Sequence, residues 1–136
     1  MMYLIDTNIW LEILLDQQQA GVVGEFLAKI PAAHLSMSDF TFHSIALALT
    51  RRQKFLVLQD FIQDIFLEAD VGLLSLSPLN TLDVISTMNT QKLDYDDAYQ
   101  YIVADQYNLV LVSFDSDFDR TTKGRKSPQE ILETLI

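Results

Sequence analysis

Aspartates are the residues of this chain that could most readily do chemistry. They make up 14 of the 19 acidic residues, and carboxylates, together with water, are the ligands that Mg²⁺ and Mn²⁺ prefer. An ion bound in this way can lower the pKa of a bound water and orient it for in-line attack on a phosphodiester. Three groups stand out, namely Asp6; Asp94, Asp96 and Asp97; and Asp115, Asp117 and Asp119. We expect folding to bring them into one divalent-metal pocket.

The context of Asp6 indicates how such a pocket would form. The apolar run Tyr3-Leu4-Ile5 is typical of a buried parallel strand, and it delivers Asp6 to the carboxyl end of that strand, where a helix begins at once. Thr7 or Asn8 is expected to cap this helix. Ligands of open α/β sheets bind at this edge. The apolar run 109–112 delivers the third aspartate group to a strand end in the same way.

Most other catalytic chemistries lack their residues. The chain has no cysteine, no Gly-x-Ser-x-Gly elbow and no glycine-rich nucleotide loop. His34 and His43 lack the spacing of zinc ligands, and His34 is expected to be structural. A phosphatase with Asp6 as nucleophile stays open as an alternative, although Asn8 stands where that chemistry generally needs a second aspartate.

Length and composition predict one domain over residues 1–136. A chain of this size can bury roughly two thirds of its unfolded surface, and 49% of its residues are hydrophobic. No apolar run approaches the roughly twenty residues of a membrane span, and the first residues lack the basic start of a signal peptide. Because cysteine is absent as well, we expect a cytoplasmic protein without a membrane partner.

The charge distribution leaves two interpretations of the basic residues open. A net charge of −10 argues at first against a nucleic-acid partner. Seven of the nine basic residues nevertheless fall into two clusters, Arg51, Arg52 and Lys54, and Arg120, Lys123, Arg125 and Lys126. These clusters are either solvated patches or a basic rim that binds substrate phosphates beside an acidic metal pocket, whose charge the ions screen.

Apolar periodicity predicts alternating strands and helices. The strands are expected over residues 3–5, 33–36, 72–76 and 109–112, the last of them in the centre of the sheet. The helices are expected over residues 9–16, 22–30, 40–49 after a cap at Ser36 or Ser38, 54–68, 79–89 and 129–135, with one more that starts at Asp94 or Asp96. This order predicts a three-layer α/β/α fold with a central parallel sheet of four to five strands.

Three motifs together resemble the PIN-domain ribonucleases, and the size is similar to VapC-like toxins of toxin–antitoxin pairs. The motifs are Asp6-Thr7-Asn8, Asp97-Ala98 at the start of a late helix, and the stretch 111–118. The resemblance covers essentially the whole chain. It implies that Asp6, Asp97 and Asp115 bind Mg²⁺ or Mn²⁺ and catalyse RNA hydrolysis. The supporting residues that it implies are Thr7, Asn8, Ser113 and either Asp117 or Asp119. Asp96, beside Asp97, either contributes to the site or only caps the helix.

The chain departs from that family at Ser44. The family usually carries a glutamate on the helix after the second strand, in a Ser-x-x-Thr-x-x-Glu pattern, whereas here Ser38 and Thr41 are followed by Ser44. A serine cannot supply the missing negative charge. Three alternatives stay open: a lower metal affinity, compensation by His43 or Asp39, or a catalytically degenerate domain that binds RNA or protein without cutting it.

The resemblance also implies partners. An RNA substrate follows from the ribonuclease activity. In a toxin–antitoxin pair, an antitoxin protein would cover the site and dock on apolar surface formed by the early helices. The resemblance further implies a homodimer.

Overall fold

The computed structural model describes residues 2–135. Within this range, the strands are β1 (Tyr3–Ile5), β2 (Leu35–Ser38), β3 (Gly72–Leu74) and β4 (Val110–Val112). The α-helices are α1 (Thr7–Leu14), α2 (Ala20–Lys29), α3 (Asp39–Arg51), α4 (Phe55–Ile62), α5 (Thr81–Gln91), α6 (Tyr95–Gln106) and α7 (Pro128–Thr134). Two 3₁₀ turns (Ala32–His34 and Ser116–Arg120) and a π-helical turn (Gln63–Glu68) complete the set.

The four strands form one parallel sheet in the order β3-β2-β1-β4. Side chains alternate between its two faces. Ile5 and Val112 lie in the core cluster that α1, α2, α3, α4 and α7 cover, whereas Leu4 and Leu111 lie in the cluster that α5 and α6 cover. The predicted three-layer α/β/α architecture with a central parallel sheet is therefore confirmed.

The strand order places a crevice between β1 and β4. After β1 the chain crosses to β2 on one side, and it later returns to add β4 on the other side of β1. Such a reversal of strand order separates the following loops at the carboxyl edge, and ligands of open α/β sheets bind there. Asp6 follows β1 and Ser113 follows β4, so both residues border this crevice.

Several predicted boundaries shift, because local hydrogen bonds form turns at the ends of the elements. The strand predicted over residues 33–36 begins at Leu35, since His34 N donates to Pro31 O and closes a 3₁₀ turn. The helix predicted from residue 79 begins at Thr81, whose amide donates to Pro78 O in a preceding turn. The helix predicted over residues 54–68 ends its α-helical part at Ile62. Among residues 2–135, no helix has the length and apolar character to cross a membrane.

The prediction that the apolar run 109–112 is a central strand is wrong, because β4 lies at the edge of the sheet. Its side chains are apolar on both faces because helices cover both faces. A later segment also covers its outer edge. Lys126 forms a parallel bridge with Val112, in which Ser113 N donates to Lys126 O over 3.0 Å and Lys126 N donates to Leu111 O over 2.8 Å. The apolar run thus reports burial, not position in the sheet.

Candidate metal centre

Asp6 links the end of β1 to the start of α1. Its backbone N still donates to Val112 O over 2.9 Å, so it completes the pairing with β4. Its Oδ1 accepts a hydrogen bond from Thr7 N over 2.8 Å, and Asp6 is therefore the N-cap of α1. The prediction that Thr7 or Asn8 caps this helix is wrong. The strand ends at Ile5, so Asp6 is the first residue after it, and a short aspartate side chain in extended backbone is a preferred cap.

Four donors surround the Asp6 carboxylate, which is only 6% exposed. Besides Thr7 N, its Oδ1 accepts from Gln100 Nε2 over 3.0 Å. Its Oδ2 accepts from Ser113 Oγ over 2.7 Å and, at the longer distance of 3.4 Å, from Asn8 Nδ2. Thr7, Asn8 and Ser113, which the resemblance implied as supports, therefore all contact Asp6.

Gln100 is a residue of this site that the sequence did not reveal. It is buried on α6, three residues after Asp97, and its Nε2 also donates to Thr41 Oγ1 over 2.7 Å. Its Oε1 accepts from Ser38 Oγ, the N-cap of α3. Gln100 thus ties the helix that carries Asp97 to the ends of β1 and β2. The available signal was a glutamine among the apolar residues of the inner face of α6.

A second set of carboxylates lies in front of Asp6. Asp97, from the first turn of α6, and Asp115 and Asp117, from the stretch after β4, each offer an oxygen within 4.8 Å of the others. Asp115 N donates to Ser113 Oγ over 2.9 Å, and Asp117 N donates to Asp115 Oδ1 over 2.8 Å, so Asp115 and Asp117 belong to one hydrogen-bonded turn. Among the described residues, these three acids form the group whose oxygens lie close enough together to share a metal ion.

Asp6 borders one cavity of about 330 Å³ together with Asp97 and Asp115 of the second set. The cavity brings together the three acids that the resemblance implied as metal ligands. Ser44 also lines it, so α3 does present this position to the acids. The lining residues are Asp6, Thr7, Asn8, Leu11, Phe40, Ser44, Asp96, Asp97, Gln100 and Asp115.

The carboxylates perturb one another. Burial raises the pKa of Asp6, and the charge of Asp115 adds to this, while hydrogen bonds from Ser113, Gln100 and Thr7 oppose it. Burial, followed by the charges of Asp96, Asp115, Asp6 and Asp117, raises the pKa of Asp97 to about 7. The pocket therefore concentrates negative charge that a divalent cation would neutralise.

The remaining predicted acids and His43 have other surroundings. Asp119 pairs with Arg125, whose Nε and Nη2 lie 3.0 and 3.1 Å from its two carboxylate oxygens. Of the two acids that the sequence left open, the structure thus brings Asp117 to the cluster. His43 is exposed and lines a neighbouring groove instead of the acidic cavity. Asp94 is the N-cap residue of α6, whereas Asp96 lines the cavity.

The two basic clusters lie in different places. Arg51 and Arg52 end α3, which starts at the carboxyl edge of the sheet and runs away from it for 13 residues, so they lie far from the cavity. Arg120 lies nearer, since its Nη1 is 3.1 Å from Asp117 Oδ1. Arg125 Nη1 donates to Ser113 O over 2.9 Å. Lys123 and Lys126 line a groove beside β4.

Comparisons with known proteins agree with this geometry. A family model described as the PIN domain matches residues 3–124. The chain belongs to the PIN domain family, as the three sequence motifs indicated. No match is found among curated protein sequences.

Solved structures show the same fold at low sequence identity. FitAcB from Neisseria gonorrhoeae has a TM-score of 0.74 at 19% identity, over 94% of this chain and 99% of that one. VapC20 from Mycobacterium tuberculosis is described as a toxin that cleaves the sarcin–ricin loop. It has a TM-score of 0.73 at 16% identity, over 86% of this chain and 92% of that one. A toxin–antitoxin complex from Klebsiella pneumoniae has a TM-score of 0.73 at 18% identity, over 93% of this chain and 97% of that one.

Proposed function

We propose that this protein is a divalent-metal-dependent endoribonuclease that hydrolyses RNA phosphodiesters. The observation that carries the proposal is the approach of Asp97, Asp115 and Asp117 to within 4.8 Å of one another, beside a cavity that Asp6 also lines. Membership of the PIN domain family, a family of nucleases, supports the same chemistry. The VapC20 toxin, which shares the fold, is described as cleaving RNA's sarcin–ricin loop.

The donor set fits a hard divalent cation. Asp97, Asp115 and Asp117 offer only oxygen ligands, which suit Mg²⁺ or Mn²⁺. The raised pKa of Asp97 supports this fit, because burial and like charges disfavour its ionised form until a cation offsets them. When bound, the ion supplies Lewis acidity toward a bound water and a phosphate oxygen.

Asp6 then acts mainly by positioning its neighbours. Each of its oxygens already accepts two contacts, which fills the usual capacity of a carboxylate. Its hold on the Ser113 hydroxyl fixes the oxygen that accepts from Asp115 N. The 3.4 Å contact with Asn8 is the longest of the four, so its loss would most easily free a lone pair for direct metal binding.

Substrate phosphates would meet the basic residues of the second cluster. Arg120 lies against Asp117 at the rim of the acidic cluster. Lys123 and Lys126 line a separate groove beside β4. Arg125 is partly committed to Asp119 and Ser113. We expect no direct substrate contact from Arg51 and Arg52, because they lie at the far end of α3.

Two alternatives weigh differently against this geometry. The phosphatase alternative is disfavoured, because the Asp6 carboxylate is 6% exposed and its oxygens are hydrogen-bonded, which makes it a poor nucleophile. The degenerate binding domain is favoured by one specific observation. Ser44 lines the cavity at the position of the family's usual glutamate, so the pocket lacks that carboxylate.

The decisive experiment adds Mg²⁺ or Mn²⁺ to the purified protein and follows cleavage of end-labelled RNA. We expect metal-dependent cleavage that Asp97→Asn and Asp115→Asn abolish. Asp105→Asn is the matched control, because Asp105 is an exposed acid on the same helix as Asp97. Metal binding by calorimetry without any cleavage would favour the degenerate domain and overturn the nuclease proposal.

We also propose an antitoxin partner and a homodimer, acting in the cytoplasm. The support is structural similarity to toxin–antitoxin complexes, such as VapBC-1 from nontypeable Haemophilus influenzae, with a TM-score of 0.70 at 19% identity. Co-expression with the product of a small neighbouring reading frame should yield a stable complex that inhibits cleavage. Sedimentation of the purified protein tests the dimer.

A further inference from the structure

An aromatic cluster borders the acidic cavity and has no role in the proposed chemistry. It consists of Phe40 on α3 and Tyr95 and Tyr99 on α6, with ring centroids 5.6 Å apart for Phe40–Tyr99 and 6.2 Å apart for the other two pairs. Phe40 lines the acidic cavity and also the neighbouring groove of about 250 Å³. The cluster therefore lies where the next part of a bound substrate would emerge from the cavity.

One ring of the cluster is buried and hydrogen-bonded, whereas the other two are exposed. Tyr99 is buried, and its hydroxyl donates to Asp39 Oδ1 over 2.8 Å and accepts from Leu76 N over 3.0 Å. By contrast, Phe40 is 36% exposed and Tyr95 is 41% exposed. Exposed aromatic rings on a fixed support lose little conformational entropy when a planar group stacks on them.

The charges of the groove differ from those of the cavity. Asp39 is the one carboxylate that lines the groove among the described residues, and it already accepts hydrogen bonds from the Tyr99 hydroxyl and Phe40 N. The exposed His43 lines the same groove. An anionic phosphate with its metal suits the acidic cavity, whereas an uncharged planar base suits the aromatic groove next to it.

We propose that Phe40 and Tyr95 form a stacking subsite for an unpaired nucleobase of the RNA substrate. This inference rests on the proposed function, since the acidic cavity would hold the phosphate of the adjoining nucleotide. Bases of single-stranded RNA stack on aromatic side chains without a strict sequence preference. A base held in a duplex is not available for stacking in this way, so the subsite selects unpaired substrates.

The test compares Phe40→Ala, Phe40→Leu, Phe40→Trp and Tyr95→Ala with Phe55→Ala, whose exposed ring lies on α4 away from the cavity. For cleavage of a single-stranded oligoribonucleotide, we expect Phe40→Ala to raise KM about fivefold or more. We expect kcat at saturating RNA and Mn²⁺ affinity to stay unchanged. Phe40→Trp should retain the wild-type KM and Phe40→Leu should not. A surface that merely packs against a protein would tolerate leucine.

A second readout separates this inference from the proposed function. Stacking should quench the fluorescence of 2-aminopurine in the oligoribonucleotide, both with wild type and in an Asp97→Asn background that does not cut. Quenching that depends on Phe40, without cleavage by wild type, would support the subsite and refute the nuclease. The subsite would be overturned if Phe40→Ala left both KM and quenching unchanged, or if Phe40→Leu retained the wild-type KM. It would also be overturned if a changed oligomeric state of Phe40→Ala accounted for its higher KM.

Discussion

Asp97 is the residue at which the electrostatics of the cavity can be measured most directly. It is half-buried in the first turn of α6, and its pKa in the metal-free protein is raised to about 7. The unfolded chain has an ordinary aspartate pKa near 4. Between these two values the folded protein binds more protons than the unfolded chain, so the free energy of unfolding decreases as pH rises through this interval.

Asp97→Asn should therefore stabilise the metal-free protein at pH 8, because it removes a carboxylate that folding places near like charges. This gain in stability should shrink toward pH 4, where the Asp97 side chain of the folded wild type is protonated and therefore uncharged. Urea unfolding in EDTA at both pH values measures the difference. With Mn²⁺ the order should reverse, since only wild type gains free energy from tight binding of the ion. Lower metal-free stability of Asp97→Asn at pH 8 would assign Asp97 a structural role.

Ser44 is the second position where one residue decides the metal affinity. It lines the cavity with Asp6, Asp97 and Asp115, so Ser44→Glu should bring an added carboxylate close to the ion. An added anion is worth on the order of 1 kcal/mol at the effective dielectric of a protein surface. We expect roughly fivefold tighter Mg²⁺ or Mn²⁺ binding by calorimetry, from the equivalence of about 1.4 kcal/mol with tenfold.

His43→Glu is the matched control for Ser44→Glu. It adds the same charge one residue earlier, but His43 faces the neighbouring groove and is exposed. We expect it to change metal affinity less. If a folded Ser44→Glu protein bound metal no more tightly than wild type, the added charge would not reach the ion, and Ser44 would not correspond to the family's glutamate.

At the scale of elements, the site depends on how α6 is joined to the strand ends. Gln100 is the joint, because its amide contacts Asp6, Thr41 and Ser38 at once. Gln100→Leu would leave these buried groups short of a partner, which costs about 1 to 3 kcal/mol. We expect urea unfolding to show this loss of stability. We also expect weaker cleavage, because the Asp6 carboxylate would lose one of the hydrogen bonds that fix its orientation.

Gln106→Leu provides the comparison on the same helix, since Gln106 is exposed at the end of α6. A surface substitution of this kind usually changes stability by less than about 0.5 kcal/mol. Equal stability and equal cleavage in the Gln100 and Gln106 variants would show that the Gln100 contacts do not hold the site together.

Sequence patterns predicted these elements well where burial determines them. The runs 3–5 and 109–112 are apolar because helices cover both faces of the sheet, so both strands could be found. Apolar residues do not encode the order of strands, and β4 proved to be an edge strand that Lys126 covers. The choice of Asp6 over Thr7 as the cap depends on where pairing with Val112 ends, which is a property of the sheet.

The candidate site shows the same division. The three aspartate groups were predictable, because residues after parallel strands collect at one edge of the sheet. Which of Asp117 and Asp119 joins the carboxylate cluster was not predictable. Asp119 instead pairs with Arg125, six residues later in the chain. Gln100 could not be singled out, because nothing local in the sequence shows that its amide meets a residue 94 positions earlier.

At the scale of the whole molecule, the charge of −10 must be reconciled with an RNA substrate. Near the site, ion pairs engage Arg120 with Asp117 and Arg125 with Asp119. Lys123 and Lys126 are not part of the ion pairs found among the described residues. Affinity for RNA should therefore come from the metal-loaded cavity and from stacking, with few contacts between basic side chains and phosphates.

This arrangement predicts a weak salt dependence. For single strands, the slope of log affinity against log salt concentration is about −0.7 for each phosphate contact. With two or three such contacts from basic side chains, the slope should be no steeper than about −2. The measurement is KM for a single-stranded oligoribonucleotide across a potassium chloride series at fixed Mn²⁺. Lys123→Gln should flatten the slope by about 0.7. A wild-type slope of about −3 or steeper would mean that Arg120 and Arg125 leave their aspartates to bind the RNA, since their two added contacts contribute about −1.4.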